Sequence, residues 1–284
     1  MTSYLVGLIG SGIGPSLSPP LHEREADRHG LRYLYRLIDI AELGLAPEAA
    51  GDLVRAARRL GFTGLNITHP CKQTVIGHLD ELSPDAEMLG AVNTVVFDGE
   101  RATGHNTDWT GFAESFARGL PEAATRRIVQ LGAGGAGSAV AHALLTLGAD
   151  QIALVDARPE RAGALAARLS RRFGEGRAVA AGTDRLPALL AGSDGLVNVT
   201  PSGMAAHPGP PLDVDLLTPA LWVADVVYRP LETGLLRRAR ALGCRTLDGG
   251  GMVVFQAAHS FRLFTGYEPD TERMLGHLTD LVST

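Results

Sequence analysis

The stretch Arg127-Ile-Val-Gln-Leu-Gly-Ala-Gly-Gly-Ala-Gly-Ser, continued to Asp156, constrains the fold more than any other part of the chain. Ile128–Leu131 reads as a strand, the glycines as a tight turn, and Val140, Leu144 and Leu147 as the buried stripe of a helix. Ile152–Val155 reads as a second strand, closed by the acid Asp156. This order predicts a dinucleotide site. Gly132 permits the turn, Gly134 lets the backbone approach a pyrophosphate, and Gly137 lets the helix pack closely on the strand. Ala133, Gly135 and Ala136 complete the loop, and the helix N-terminus offers unpaired N–H groups to the anion. Asp156 stands where a carboxylate bonds the adenosine ribose.

At 284 residues the chain exceeds the usual size of one domain, so two domains are expected. Hydrophobic residues make up 45%, charged residues 20%, and the formal charge is −5, which gives no electrostatic reason to seek nucleic acid. Cys71 and Cys244 form no metal or redox spacing, so both read as small buried residues in a reduced, cytoplasmic compartment. The run Leu5–Ile9 is too short for a signal core, and no stretch approaches the ~20 apolar residues that cross a bilayer. Neither a targeting segment nor a membrane contact is expected.

Strands are predicted at Tyr4–Ile9, Tyr33–Ile38, Gly64–Thr68 and Val92–Phe97, with a turn at Asp98-Gly99. Helices are predicted at Leu21–His29, Pro47–Leu60, Thr74–Leu79 and Thr110–Arg118. Strands at Ile128–Leu131, Ile152–Val155, Ala178–Ala180, Leu196–Asn198, Val223–Val226 and Arg245–Leu247 alternate with helices, the doubly wound pattern. Two amphipathic helices, Met252–Thr265 and Thr271–Val282, follow with no further strand, so they are expected to return to the first domain. The fold class is α/β: an N-terminal α/β substrate domain (1–109), a Rossmann dinucleotide domain (110–251) and returning C-terminal helices (252–284).

The first domain places polar residues where loops and strand ends should converge. These are Ser16 and Ser18, Asn66, Thr68 and Lys72, Asn93, and Asp108. Hydroxyls can donate to a carboxylate, asparagines can serve substrate hydroxyls in both directions, and a Lys/Asp pair can exchange a proton. Taken singly, Lys72 reads better as an exposed helix-start lysine and Asp108 as a helix N-cap. The serines read equally as turn residues, and the asparagines as partners of local backbone. His22, His69 and His105 have no metal-protease spacing and read as local hydrogen-bonding groups; no metal is called for.

Eight segments in order resemble the shikimate dehydrogenase family: Ser16-Leu-Ser-Pro-Pro-Leu-His22, Gly64-Leu-Asn-Ile-Thr-His-Pro-Cys-Lys72, Gly90-Ala-Val-Asn-Thr94, Asn106-Thr-Asp108, the glycine loop, Asn198-Val-Thr-Pro-Ser-Gly-Met204, Asp225-Val-Val-Tyr-Arg-Pro230, and Gly249-Gly-Gly-Met-Val-Val-Phe-Gln256. The resemblance implies that Ser16 and Ser18 bind a substrate carboxylate and that Asn66, Thr68, Asn93 and Gln256 hold its hydroxyls. It implies Lys72 and Asp108 as the catalytic pair. Tyr228 contacts substrate or cofactor on this reading, though an aromatic before Arg229-Pro230 also suits packing. Thr200, Pro201, Met204, Val227, Gly249 and Met252 would join the glycine loop in holding the cofactor. The substrate implied is a cyclohexane or cyclohexene carboxylic acid, oxidised between the two domains by a monomer or homodimer.

Biosynthetic members of the family carry an Asn-Arg-Ser/Thr run after the second cofactor-domain strand, suited to a 2′-phosphate, whereas this chain has Asp156-Ala-Arg158. A carboxylate there repels a phosphate, so NAD is expected over NADP, with Arg158 the residue able to turn toward a 2′-phosphate or stack on adenine. NAD use resembles the quinate/shikimate branch, and Ser18, where quinate-using relatives often have threonine, points to shikimate over quinate. An aminoshikimate-type acid, a cofactor-binding regulatory protein and a different two-domain dehydrogenase are the competing expectations.

Overall fold

The computed structural model describes residues 3–283, in two compact units. One comprises residues 1–110 and 254–284, the other residues 111–253. In chain order the elements are β1 (Ser3–Gly10), α1 (Ser18–Arg28), β2 (Arg32–Asp39), α2 (Ala50–Arg59), β3 (Gly64–Ile67), β4 (Glu81–Leu82), α3 (Pro84–Leu89), β5 (Thr94–Asp98), β6 (Arg101–His105) and α4 (Asp108–Gly119). Then come β7 (Arg127–Leu131), α5 (Gly135–Thr146), β8 (Gln151–Val155), α6 (Pro159–Phe173), β9 (Ala178–Ala181), α7 (Leu186–Ala191), β10 (Gly195–Asn198), β11 (Trp222–Asp225), α8 (Gly234–Ala241), β12 (Arg245–Leu247), α9 (Gly250–Thr265) and α10 (Thr271–Val282). The chain leaves the first unit within α4 and re-enters it within α9.

In the first unit the sheet runs β2-β1-β3-β5-β6-β4. β1 pairs in parallel with β2 and β3, while β5 is antiparallel to both β3 and β6. Successive side chains of a strand face opposite sides, and β1 buries both: Val6 and Leu8 pack with Tyr33, Tyr35, Phe261 and Phe264, whereas Ile9 packs with Val54, Leu65 and Ile67. Phe261 and Phe264 come from α9, so the returning helix supplies one wall of this core. α10 is tied down by Arg273, whose guanidinium donates to Glu25 Oε1 at 2.6 Å and Oε2 at 3.0 Å. Glu25 is fully buried on α1, and Asp270 N–H and His29 complete its partners. Burial alone would raise the Glu25 pKa, but Arg273 and these hydrogen bonds outweigh it and hold the carboxyl below its usual value.

The second unit is a six-stranded parallel sheet in the order β12-β11-β10-β7-β8-β9, the doubly wound arrangement in which the chain reverses direction beside its first strand. Its four central strands, β11, β10, β7 and β8, are short, mainly apolar runs buried on both faces, as a parallel sheet covered by helices requires. Ligands of such sheets sit beyond the carboxyl ends of the strands at that reversal, between β7 and β10.

The sequence expectation is revised between residues 74 and 105, where β4 and α3 occur although no element was expected there. The helix expected over 74–79 is a turn followed by a 3-10 segment at Ile76–His78. The strand expected from Val92 begins at Thr94. Beyond the Asp98-Gly99 turn the chain continues into β6, unexpected because Arg101-Ala-Thr-Gly-His carries only two buried positions. Gly104 lies among Leu79, Val92 and Leu82, where a side chain would collide.

Candidate active site

In the first unit the polar residues gather around the carboxyl ends of β1 and β3 and the neighbouring start of β5. β3 ends in Asn66 and Ile67, with Thr68 directly after it. Asn66 pairs in register with Thr94, and Thr94 with His105, so Asn93, Thr107 and Asp108 lie along the same edge of the sheet. Lys72 follows the turn after β3, and its backbone carbonyl accepts from Val92 N–H at 2.8 Å. The result is one connected network. Lys72 Nζ donates to Asp108 Oδ2 at 2.5 Å, with side chains only 18% and 8% exposed. Asn93 Nδ2 donates to Asp108 Oδ1 at 2.9 Å, and Asp108 N–H is capped by Asn106 Oδ1. Asn66 Nδ2 donates to Thr94 Oγ1 at 3.1 Å, whose hydroxyl donates to Asn93 Oδ1.

The Asn93 amide is almost wholly committed to the protein. Its Oδ1 accepts from Thr94 and from Thr107 N–H, and its Nδ2 serves Thr107 Oγ1 and Asp108. Its direct effect is to aim Asp108. Thr107 Oγ1 also donates to the Gln256 carbonyl at 3.1 Å, which fixes the first part of α9 against this edge.

Ser16 and Ser18 flank the start of α1, and Ser18 N–H donates to Ser16 Oγ at 3.2 Å. Their loop is braced by Asp39 at the end of β2. Its Oδ1 accepts from Gly12 and Ala41 N–H, and its Oδ2 from Ile13 N–H at 2.8 Å. Despite some desolvation, these backbone donors hold the Asp39 carboxyl below its usual pKa. Tyr35 donates to Asn66 Oδ1 at 2.7 Å. Asp39, Tyr35, Thr94 and Thr107 were not singled out by sequence. Thr94 and Thr107 lie within quoted motifs, and Asp39 is an acid ending an aromatic strand, so each of these three offered a signal.

His22 is wholly buried, its Nδ1 bonded to the Tyr33 hydroxyl, and burial lowers its pKa to about 3, so it is neutral.

In the second unit the remaining candidates fall at the carboxyl ends of parallel strands: Gly132–Gly137 after β7, Asp156 and Arg158 after β8, Thr200, Pro201 and Met204 after β10, Val227 and Tyr228 after β11, and Gly249 and Met252 after β12. Gly132 has φ +101°, and a Cβ there would stand 2.6 Å from the Val199 carbonyl. A Cβ at Gly137 would collide with the Gly132 carbonyl, whereas one at Gly134 would meet nothing within 4 Å. The turn is therefore closed on its protein side and open where a ligand approaches. Its shape has a hidden brace in Gln130, fully buried on β7, whose Nε2 donates to both Gly132 O and Gly137 O at 2.8 Å.

Asp156 also braces the turn: Oδ2 accepts from Ala133 N–H at 2.7 Å and Oδ1 from Arg158 N–H at 2.9 Å. The loops after β10 and β11 share a buried knot. Asn198 Nδ2 and Val227 N–H donate to Asp225 Oδ1, Thr233 donates to Oδ2, and Asn198 Oδ1 takes Thr200 N–H and its hydroxyl. Burial pushes the Asp225 pKa up to about 6 against the pull of these three donors. Burial likewise raises that of Tyr228, opposed by Arg229.

An open glycine turn, the first N–H groups of α5 without intrahelical acceptors and an acid at the end of β8 fit a nicotinamide dinucleotide. Among the described residues no helix is long and apolar enough to cross a membrane.

Residues 8–95 match the family described as shikimate dehydrogenase substrate binding domain. The chain is 72% identical over 282 residues to a shikimate dehydrogenase (NADP(+)) of Streptomyces avermitilis, covering 99% of this chain and 97% of the relative. It is 50% identical over 274 residues to a quinate/shikimate dehydrogenase (NAD(+)) of Corynebacterium efficiens, with 96% of each covered. A solved structure, quinate dehydrogenase from Corynebacterium glutamicum in complex with NAD, superposes with a TM-score of 0.93 at 48% identity, over 98% of this chain and 99% of that one. By these similarities along its whole length, the chain belongs to the shikimate dehydrogenase family of oxidoreductases, enzymes that use a nicotinamide dinucleotide.

Proposed function

We propose that this protein is an NAD-dependent shikimate dehydrogenase that reversibly oxidises shikimate to 3-dehydroshikimate. The observation that carries the reading is the Lys72–Asp108 pair, 2.5 Å apart, largely buried and oriented by Asn93. Ser16 and Ser18 take the substrate carboxylate; Asn66, Thr68 and Gln256 take its hydroxyls. Asn93 contributes mainly by aiming Asp108. In the reducing direction the Lys72 ammonium donates a proton to the oxygen of the forming alcohol and stabilises its developing negative charge. In the oxidising direction the same nitrogen receives that proton, while Asp108 holds the amine in place. When bound, the nicotinamide accepts or supplies the hydride. The glycine turn, Asp156, Arg158, Thr200, Pro201, Met204, Val227, Gly249 and Met252 would hold it, with Tyr228 at the ring or the substrate.

The NAD preference rests on the Asp156 carboxylate, a poor neighbour for a 2′-phosphate. A second reading, quinate as the main substrate, draws on the likeness to the quinate dehydrogenase of Corynebacterium glutamicum. Steady-state kcat/KM for shikimate and quinate, each with NAD and NADP at equal concentration, tests both. Shikimate with NAD should give the highest value. Higher values with NADP would end the cofactor reading, higher values with quinate the substrate reading, and inactivity with both acids the function itself.

A further inference from the structure

A chain of hydrogen bonds crosses the first unit from Tyr35 to Lys72, and its direction is dictated by two backbone groups. Thr107 N–H meets Asn93 Oδ1 at 2.7 Å, so the nitrogen end of that amide is the one facing Asp108. The Asn93 carbonyl accepts from Asn66 Nδ2 at 3.3 Å, so Asn66 turns its oxygen toward Tyr35. A backbone N–H only donates and a carbonyl only accepts, so neither amide can be flipped. Tyr35 must therefore spend its single phenolic hydrogen on Asn66. Burial raises the Tyr35 pKa, so the group stays a phenol. The ring itself is held in the core, 5.0 Å from the His22 ring.

We propose that Tyr35 is a positioning residue for substrate selection, fixing the orientation of Asn66 at the hydroxyl end of the site. The proposal rests on the reading of Asn66 as a substrate contact. Without the phenol, Asn66 Oδ1 loses its donor and the amide is held only through its nitrogen, by the Asn93 carbonyl and Thr94 Oγ1, so its oxygen can shift from the geometry a polyhydroxylated acid requires. The chemical pair keeps its own anchors in Asn93 and Asn106, so the effect falls on substrate binding.

The test is Tyr35→Phe, which keeps the ring and its packing. With shikimate varied at saturating NAD, KM for shikimate should rise about tenfold while kcat stays within about threefold and KM for NAD is unchanged. Because Tyr35 acts through Asn66, adding Tyr35→Phe to Asn66→Ala should raise KM far less than it does in the parent. An unchanged shikimate KM in Tyr35→Phe, alongside a raised one in Asn66→Ala and Ser18→Ala, overturns the role of Tyr35 and leaves the substrate site standing. So does a fall in kcat at constant KM. Unchanged KM in Asn66→Ala and Ser18→Ala removes the substrate site, and this proposal with it.

Discussion

Replacing Asp156 by Asn removes one charge and little volume at the end of β8, and its effect on cofactor choice can be worked out. A charge pair at ~4 Å interacts by on the order of 4 kcal/mol at an intermediate dielectric. Asp156 is half-buried, so solvent and salt reduce that repulsion of a 2′-phosphate to roughly half, about 2 kcal/mol. That corresponds to about a 30-fold change in relative kcat/KM. The substitution has a second effect: the carboxylate accepts from Ala133 N–H and Arg158 N–H through different oxygens, and Asn has one acceptor oxygen. Losing the Ala133 bond costs about 1 kcal/mol, near fivefold, but the glycine turn serves both dinucleotides and this term cancels in their ratio. Initial rates of shikimate oxidation with NAD and with NADP should therefore show the NADP/NAD ratio of kcat/KM rising about 30-fold in Asp156→Asn, with activity on NAD falling several-fold. A ratio that moves less than about threefold would show that Asp156 does not read the ribose.

Lys72→Met should lower kcat by roughly 100-fold or more while leaving the dissociation constant for NAD, read by fluorescence titration, unchanged; retained turnover would remove Lys72 from the chemistry. Arg273→Ala strands the buried Glu25 carboxylate, but the Arg273 side chain is 30% exposed, so the loss of stability should be about 2–4 kcal/mol, below that of a fully buried pair. Denaturant unfolding measures it, and a loss under about 0.5 kcal/mol would make the pair a mere surface contact. Asp225 has a pKa raised from 3.8 to about 6 in the fold, so the folded state binds its proton more tightly than the unfolded chain. Its contribution to stability is present in full below pH 4 and is lost as pH rises to about 6. Asp225→Asn, which still offers an acceptor to Asn198 and Val227 and a donor to Thr233, should remove that decline; parallel stability curves of parent and variant between pH 4 and 7 would refute it.

The dinucleotide unit was legible because most of its strands are short, mainly apolar runs ending in or followed by a glycine or a polar residue, a local signal. The glycine turn announced its own geometry. Gln130, by contrast, reads as one polar residue inside such a run, and only its two carbonyl partners reveal why it is there. The first unit was harder between residues 74 and 105, where β4 is two residues long, β6 contains Gly104, and pairing rather than pattern defines the strands. Tyr35 looked like strand packing because the partner of its hydroxyl, Asn66, lies 31 residues away. Asp225 belonged to a recognised motif, yet its knot with Asn198 and Thr233 is a matter of tertiary contact. Residue type and order indicated which chemistry to expect; which side chains aim the others came only from three-dimensional contacts.

The clasp of Glu25 by Arg273 spans 248 positions of sequence, and this sets an order of assembly during synthesis. Residues 111–253 are contiguous, so that unit can condense as it leaves the ribosome, whereas the earlier-made segment must wait for α9 and α10 to deliver Phe261, Phe264 and the guanidinium. A nascent chain stopped after residue 253 should thus resist protease across its later portion and be digested over its first hundred residues. Whatever guards those residues in the cell guards the oldest part of the chain, not the newest.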